Sequence, residues 1–347
     1  MSTRRLLVTG GCGFIGSHFI RLWLAQHPGD EVVNLDALTY AGSTPRLSDI
    51  ERTGRYRFVH GDICDPALVE RAMAGCEIVV HFAAETHVDR SITNAAPFLR
   101  TNVEGTYVLL QAARQHHVTR FLHISTDEVY GPILAGAVDE TAPLSPRSPY
   151  AASKAGGDLL AQAFSATYDF ATIVVRPTNI YGPGQFPEKF IPLSIINGVE
   201  GVPIPIYGDG QQRRAWLFVT DLCEALAVII ERGLAGEIYN VAGGTEQTNL
   251  ETAQHVLACG GFPKRLLTFV ADRPGHDRRY AMTDAKLRAM GWQPKTSFEQ
   301  GLTNTIAWYR EHSAWWRPLV QKLREDPYHW LNRPAGSGTH RPSGATR

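Results

Sequence analysis

Ser125-Thr126-Asp127-Glu128-Val129-Tyr130-Gly131, followed by Tyr150-Ala151-Ala152-Ser153-Lys154, carries residue types from which an oxidation and an elimination can be assembled. Tyr150 and Lys154 are four apart, so on a helix they share a face and the ammonium can sit beside the phenol. A free phenol, with a pKa near ~10, is a poor base at neutral pH, and a neighbouring cation favours its ionised form. Asp127 and Glu128 supply what the oxidation of a secondary alcohol does not require. Once a ketone forms, the neighbouring C–H becomes acidic. One carboxylate can then remove that proton while a protonated partner gives one to a leaving hydroxyl, provided the two environments differ. Spacing alone also admits plainer readings: Asp127 as a turn cap, Glu128 in a structural salt bridge, and Tyr150 and Lys154 as two exposed residues of an amphipathic helix.

What lies upstream favours the chemical reading. Thr9-Gly10-Gly11-Cys12-Gly13-Phe14-Ile15-Gly16 follows an apolar run and opens a helical one. Gly10, Gly13 and Gly16 permit a tight turn, close approach of the backbone to a pyrophosphate, and close helix–strand packing. The helix N-terminus at Phe14 and Ile15 offers free N–H groups to phosphate. Asp36 ends the second strand, 20 residues after Gly16. A carboxylate there accepts the hydroxyls of an adenosine ribose and repels a 2′-phosphate. No Arg or Lys lies within 37–43 to offset that repulsion, so NAD is expected rather than NADP. Gly61-Asp62-Ile63 and Phe82-Ala83-Ala84-Glu85 fall where loops should line the adenine and nicotinamide halves. Taken alone, Asp62 is equally a loop or cap residue.

Short apolar runs alternate with helical stretches in the first half. Arg5–Thr9, Glu31–Asp36, Arg57–His60, Glu77–Phe82, Arg120–Ser125 and Thr172–Arg176 read as strands, mostly continuous in apolarity, as befits strands covered on both faces. Phe14–Gln26, Pro66–Ala74, Pro97–His117 and Tyr150–Tyr168 read as helices. The expected fold is α/β, a doubly wound parallel sheet with a smaller interleaved lobe toward the C-terminus. Residues 1–179 and 215–242 form the dinucleotide-binding part, with Trp216–Val219 and Glu237–Val241 returning to the main sheet. Residues 180–214 and 243–331 form the lobe, with strands near Pro205–Tyr207 and Leu266–Phe269. Residues 332–347, rich in Gly, Ser, Pro and Arg, are expected to be disordered.

Lys+Arg and Asp+Glu each number 34, so the balance of charge gives no support for a nucleic-acid or anionic-membrane partner. The five cysteines are scattered and form no Cys-x-x-Cys pair, which fits free thiols in a reducing compartment better than a disulfide or metal frame. No signal-peptide pattern and no apolar run of ~20 residues is present. A cytoplasmic protein without a metal site is expected.

The motifs together resemble those of the dTDP-glucose 4,6-dehydratases, in the nucleotide-sugar branch of the extended short-chain dehydrogenases. The matching runs are 9–17, 35–42, 83–91, 125–131, 148–155, 186–189 and 272–280, within a resemblance from about Arg5 to Trp316. The Thr-Asp-Glu run discriminates, since related epimerases and decarboxylases usually carry other residues there. The resemblance implies that Tyr150 takes the proton of the sugar 4-hydroxyl, Glu128 removes the C5 proton and Asp127 protonates the departing 6-hydroxyl. Thr126 would hydrogen-bond the 4-oxygen, and Lys154 the nicotinamide ribose. Leu38, Thr39, Thr101 and Ile180 join the cofactor cleft. Substrate contacts would come from Thr86, Asn179, Glu188, Lys189, Arg214, Asn249, Arg273, His276 and Tyr280. NAD would be tightly held and regenerated at each turnover, and a homodimer would pack the Pro97–His117 and Tyr150–Tyr168 helices into a four-helix bundle. Ile180, Gly184, Ala215 and Thr86 depart from the family pattern; the first three lie beside the substrate lobe and leave the sugar and base open. A sugar-nucleotide epimerase or decarboxylase, or an idle NAD-binding regulator, are the competing readings.

Overall fold

A computed structural model describes residues 3–244 and 246–325; the segment 332–347 expected to be disordered lies outside them. Six strands, β1 (Arg5–Thr9), β2 (Glu31–Asp36), β3 (Tyr56–His60), β4 (Ile78–His81), β5 (Arg120–Ile124) and β6 (Thr172–Pro177), join Ile238–Val241 in one sheet. Every pairing is parallel, and the order runs Ile238–Val241, β6, β5, β4, β1, β2, β3. The order 3-2-1-4-5-6 is that of a doubly wound dinucleotide fold, whose ligands lie beyond the carboxyl ends of the strands where the winding reverses. Here the reversal falls between β1 and β4.

The continuous apolarity of the strands follows from burial on both sides. Leu6 and Val8 of β1 point to one face, packing with Phe19, Ile20 and Trp23 of α1 (Phe14–Gln26). Leu7 points to the other, with Val79, Leu109 and Phe121. Fully burying such side chains contributes about 1.5–3 kcal/mol each.

Two expectations are corrected and one helix is added. The span 97–117 is no single helix: Ala96–Leu99 and Thr106–Gln115 flank a π-helical turn, Arg100–Gly105. The wide turn brings Asn102 against the Glu85 backbone, accepting from its N at 2.9 Å and donating to its O at 3.0 Å, and faces Thr101 to the cleft. The strand expected at Trp216–Val219 spans Arg213–Phe218 and leaves the main sheet. It pairs in parallel with Asn179–Tyr181 and antiparallel with Glu246–Thr248, because Trp216 and Phe218 bury against Tyr181, Ile191, Phe298 and Tyr309 in a second core. A helix the spacing did not suggest, Val88–Thr93, follows the fourth strand's loop.

The strand expected near Leu266–Phe269 is Leu267–Val270, parallel to Ile204–Tyr207 in a two-stranded sheet. Helices Phe190–Glu200, Asn249–Gly260, Phe298–Glu311 and Ser313–Glu325 complete this side of the molecule. Among the described residues no helix is long and apolar enough to cross a membrane.

Candidate active site

Two clefts meet over the carboxyl ends of the main strands. One, of about 750 Å³, is bounded by the glycine turn, Asp36, Thr39, Asp62, Ile63, Phe82, Ala83, Ala84, Thr101, Tyr150, Lys154 and Ile180. The other, of about 1370 Å³, takes in Thr86, Asn179, Glu188, Lys189, Arg214, Asn249, Arg273 and His276. Glu128 lines both. Leu38 and Tyr280 line neither: Leu38 contributes its backbone, and Tyr280 reaches Glu128 from behind.

The glycine turn is built for close approach. Gly10 has φ +70°, and a Cβ there would lie 2.7 Å from the Ala83 backbone, while one on Gly16 would lie 2.5 Å from the Gly10 carbonyl. Gly13 caps α1 without any side chain covering the helix N-terminus, where an anion is favoured. Asp36 accepts from Cys12 N on one oxygen and from Leu38 N on the other, both at 2.8 Å. This fixes the carboxylate and leaves further lone pairs toward the cleft. Leu38 adopts φ +49° to deliver its N–H. Arg100 pairs with Asp62 at 2.6 Å.

Thr126 caps the short turn Asp127–Tyr130, its hydroxyl accepting from Glu128 N at 3.3 Å and lying 3.2 Å from Asp127 Oδ1. The turn holds two carboxyls where water is scarce. Burial, and then the charge of Glu128, push Asp127 up to about 7. Glu128 is also raised by burial, but Arg273, Arg214 and Lys189 draw it back. The neighbours are therefore unlike, one favouring its acid form and the other facing three cations. The Tyr280 hydroxyl donates to Asp277 at 2.9 Å and lies 3.4 Å from Glu128 Oε2.

Tyr150 and Lys154 sit in the first turns of Pro149–Tyr168, a helix capped by Ser148. Both are buried. The expected acidification of the phenol by the ammonium is not what this arrangement gives. Lys154 Nζ is drawn to the Ile124 carbonyl at 2.7 Å, and burial lowers it to about 8. Tyr150 is raised, first by burial and then by Glu128, with Thr126 acting against them.

In the larger cleft, Lys189 Nζ donates to the Thr86 carbonyl at 3.0 Å, and Arg273 pairs with Asp89 at 3.4 Å. Arg214 is held by the carbonyls of Arg213 and Asp277 and lies 4.3 Å from the Tyr280 ring centre. His276 meets Asp272 at 2.6 Å; burial, and then Arg273, push its imidazole down, against the pull of Asp272. Asn249 opens a helix whose preceding residue, Thr248, forms a capping box with Glu251. The Asn179 side-chain oxygen is buried without a hydrogen-bond partner among the described residues. Glu188 is engaged by the Tyr40 hydroxyl at 2.9 Å and by Arg90 at 3.2 Å.

Residues that spacing did not single out complete the site: Tyr40, Asp89, Arg90, Ser91, Thr178 and Asp277. Ser91 accepts from Tyr150 N at 3.1 Å. Asp89, Arg90 and Ser91 belong to a quoted motif whose helical form was the missing signal; Tyr40 lies in another. Nothing in the sequence marks Thr178.

The chain matches the family described as GDP-mannose 4,6 dehydratase over residues 7–305. It is 51% identical over 320 residues to a dTDP-glucose 4,6-dehydratase of Streptomyces niveus, covering 91% of this chain and 95% of that protein. It superimposes on the dTDP-glucose 4,6-dehydratase DesIV from Streptomyces venezuelae, solved with NAD bound, with a TM-score of 0.89 at 50% identity, covering 91% of this chain and 99% of that one. A UDP-glucose 4-epimerase from Thermus thermophilus, also an NAD complex, is similar at TM-score 0.82 and 31% identity, with coverages of 89% and 99%. With relatives this similar along nearly their whole length, and with paired carboxyls set beside a Tyr–Lys pair, the chain belongs to the dTDP-glucose 4,6-dehydratase family.

Proposed function

We propose that this chain converts dTDP-glucose to its 4-keto-6-deoxy sugar nucleotide and water, with NAD held in the smaller cleft throughout. The observation that carries the reading is the Asp127–Glu128 turn at the junction of the two clefts. It sets an acid and a base with unlike environments next to each other, which a 4-epimerase does not require.

The cleft fits NAD. Its glycine turn has no room for side chains where a pyrophosphate would approach, its α1 N-terminus is uncovered, and Asp36 is fixed to accept ribose hydroxyls. Ala83, Ala84, Thr101 and Ile180 would line the remainder, and Lys154 would meet the nicotinamide ribose. Bound there, NAD supplies what the chain's own side chains lack: an acceptor and donor of hydride, and a positive charge against which a buried phenol can ionise.

Tyr150 takes the proton of the sugar 4-hydroxyl, with Thr126 holding the 4-oxygen. Glu128 then removes the C5 proton, since its cationic neighbours favour the ionised form. Asp127, raised to about 7, gives its proton to the departing 6-hydroxyl. Arg214 and Arg273 offer forked donors to the diphosphate, with Lys189, Asn249 and His276 beside them. Of the three departures from the family pattern beside the lobe, Ile180 lines both clefts, whereas Gly184, against Arg46 and Trp308, and Ala215 line neither, so a different sugar would be accommodated at Ile180.

The division of labour we propose gives the cofactor chiefly to 1–179 and the sugar nucleotide chiefly to 180–214 with 243–325, while Trp216 and Phe218, expected with the cofactor part, pack in the second core. A cytoplasmic location agrees with the free state of all five cysteines. A homodimer is supported by Leu99, Tyr107, Leu159 and Tyr168, large apolar residues left exposed on and beside the Thr106–Gln115 and Pro149–Tyr168 helices; equilibrium sedimentation giving a monomer would count against it.

The test is incubation with dTDP-glucose carrying deuterium at C4. The 4-keto product absorbs in alkali, and the label should appear in the new methyl group. Absence of product, or label retained at C4 or washed into solvent, refutes the reading.

A further inference from the structure

We infer that Thr178 is a positioning residue that keeps Asp127 in its acid form until the 6-hydroxyl is ready to leave, an inference that rests on the dehydratase reading of the site. Thr178 stands where the chain passes from β6 to the Asn179–Tyr181 strand, and it is buried. Its backbone N–H donates to the Val241 carbonyl at 3.1 Å, which fixes the residue against the edge of the main sheet. Its hydroxyl oxygen lies 3.0 Å from the Ala215 carbonyl and 3.3 Å from Asp127 Oδ2.

One hydroxyl hydrogen cannot serve both oxygens. A carbonyl can only accept, and so can an ionised carboxylate, whereas a carboxylic acid can also donate. The shorter contact takes the hydrogen, so Ala215 sets its direction and Thr178 is left facing Asp127 with a lone pair. An ionised Asp127 would meet that lone pair with no proton between them. A protonated Asp127 fills the gap by donating Oδ2–H to the Thr178 oxygen, while its Oδ1 faces the Thr126 hydroxyl at 3.2 Å. The chain Asp127 → Thr178 → Ala215 is complete only when the acid holds its proton.

The groups around Asp127 bear on the same equilibrium. Glu128 adjoins it in its own turn, Tyr150 faces it from the Pro149–Tyr168 helix, and Tyr280 faces it from beyond the Leu267–Val270 strand. Burial and then Glu128 favour the acid form; Arg214, on the Arg213–Phe218 strand, and the Thr126 hydroxyl oppose them, as would the Thr178 hydroxyl were its hydrogen turned from Ala215 to Asp127. Thr178 adds direction to this. It parks the proton on Oδ2 of one carboxyl, while the adjacent Glu128, facing Arg273, Arg214 and Lys189, is left to act as base. When the 6-hydroxyl departs, the Oδ2–H bond breaks as the new O–H bond forms, and the proton leaves Thr178 for the substrate.

The experiment uses the NAD-loaded protein. The infrared stretch of the protonated Asp127 carboxyl, identified by its loss in Asp127→Asn, is followed against pH. Thr178→Val keeps the shape and removes the hydroxyl, with Thr178→Ala as a second variant should Val not fold; Thr178→Ser retains the hydroxyl. The midpoint is expected to fall by about 0.7 of a pH unit in Val or Ala, the worth of one ordinary hydrogen bond, and to return in Ser. The basic limb of kcat on dTDP-glucose should move the same way with KM unchanged. An unchanged midpoint overturns the inference, and so does a rise, which would mean that the hydroxyl donates to a carboxylate. Failure of the wild-type protein to make a 4-keto product would instead refute the dehydratase reading, and the infrared titration distinguishes that failure from the other.

Discussion

The Tyr40 hydroxyl donates to Glu188 Oε1 across 2.9 Å, tying two segments 148 positions apart. Tyr40 follows the carboxyl end of β2 on the cofactor side, while Glu188 precedes the helix that walls the sugar side. Arg90 strengthens the tie, its guanidinium 3.9 Å from the Tyr40 ring centre and 3.2 Å from Glu188. Tyr40→Phe removes a donor from a carboxylate with 3% of its side chain exposed. A buried acceptor left unsatisfied costs about 1–3 kcal/mol. Equilibrium denaturation should show a loss of that size, and calorimetry should show weaker sugar-nucleotide binding with NAD affinity little changed. Unchanged stability would mean that the tie carries no energy.

Asp127 makes the protein less stable at neutral pH, and the sign follows from linkage. Its folded pKa, about 7, stands above the model-peptide value of 3.8. The stability it contributes is complete below pH 4. As pH rises toward 7 the unfolded chain releases the proton while the folded one retains it, so the unfolded state gains. Asp127→Asn removes this dependence. The variant should match the wild type near pH 4 and exceed it increasingly up to pH 7, by an amount on the order of 2–4 kcal/mol. Urea titrations at pH 4, 5.5 and 7 measure the gap; a gap constant with pH would place Asp127 in an ordinary environment.

The parallel sheet, its first helix and the glycine turn were legible because continuous apolar strands, 3.6-residue periodicity and glycine spacing are local signals. The gathering of Tyr150, Lys154, Asp127 and Glu128 at one cleft was legible because their types suit proton chemistry and their spacing follows the glycine turn. Partners were not. Arg213–Phe218 reads like a core strand of the main sheet, and only the aromatic packing of Trp216 and Phe218 draws it into a separate one. The π turn at Arg100–Gly105 depends on Asn102 meeting Glu85, a contact across 17 positions. Lys154 was expected on the helix face of Tyr150; that its ammonium is also held by the Ile124 carbonyl is something no spacing rule foretells.

Gly10 tests the cofactor cleft without touching the chemistry. A methyl group at this position would lie 2.7 Å from the Ala83 N and Cα atoms, on a backbone at φ +70°. Both the strain and the overlap push β1 away from the loop after β4, where a bound dinucleotide must pass. Gly10→Ala should therefore be purified with much less NAD than the wild type, read from the ultraviolet spectrum of the nucleotide released on denaturation, and should melt at a lower temperature. Full retention of NAD would show that the turn does not hold it.

Glu128→Gln separates the base from everything that prepares for it. The amide keeps the volume and a hydrogen-bonding face toward Arg273 and Tyr280, but it cannot take a proton. NAD content and sugar-nucleotide binding should be close to wild type, and oxidation at C4 should still occur. Exchange of the C5 hydrogen with deuterated water should be lost, and turnover should fall by about 10²–10⁴-fold, the usual contribution of a positioned base. Asp127→Asn is the counterpart. It retains Glu128, so C5 exchange should persist while departure of the 6-hydroxyl slows. Exchange measured by NMR on both variants assigns the roles: rapid C5 exchange in Glu128→Gln would take the base role from Glu128, and loss of exchange in Asp127→Asn with normal elimination in Glu128→Gln would reverse the assignment of acid and base within the turn.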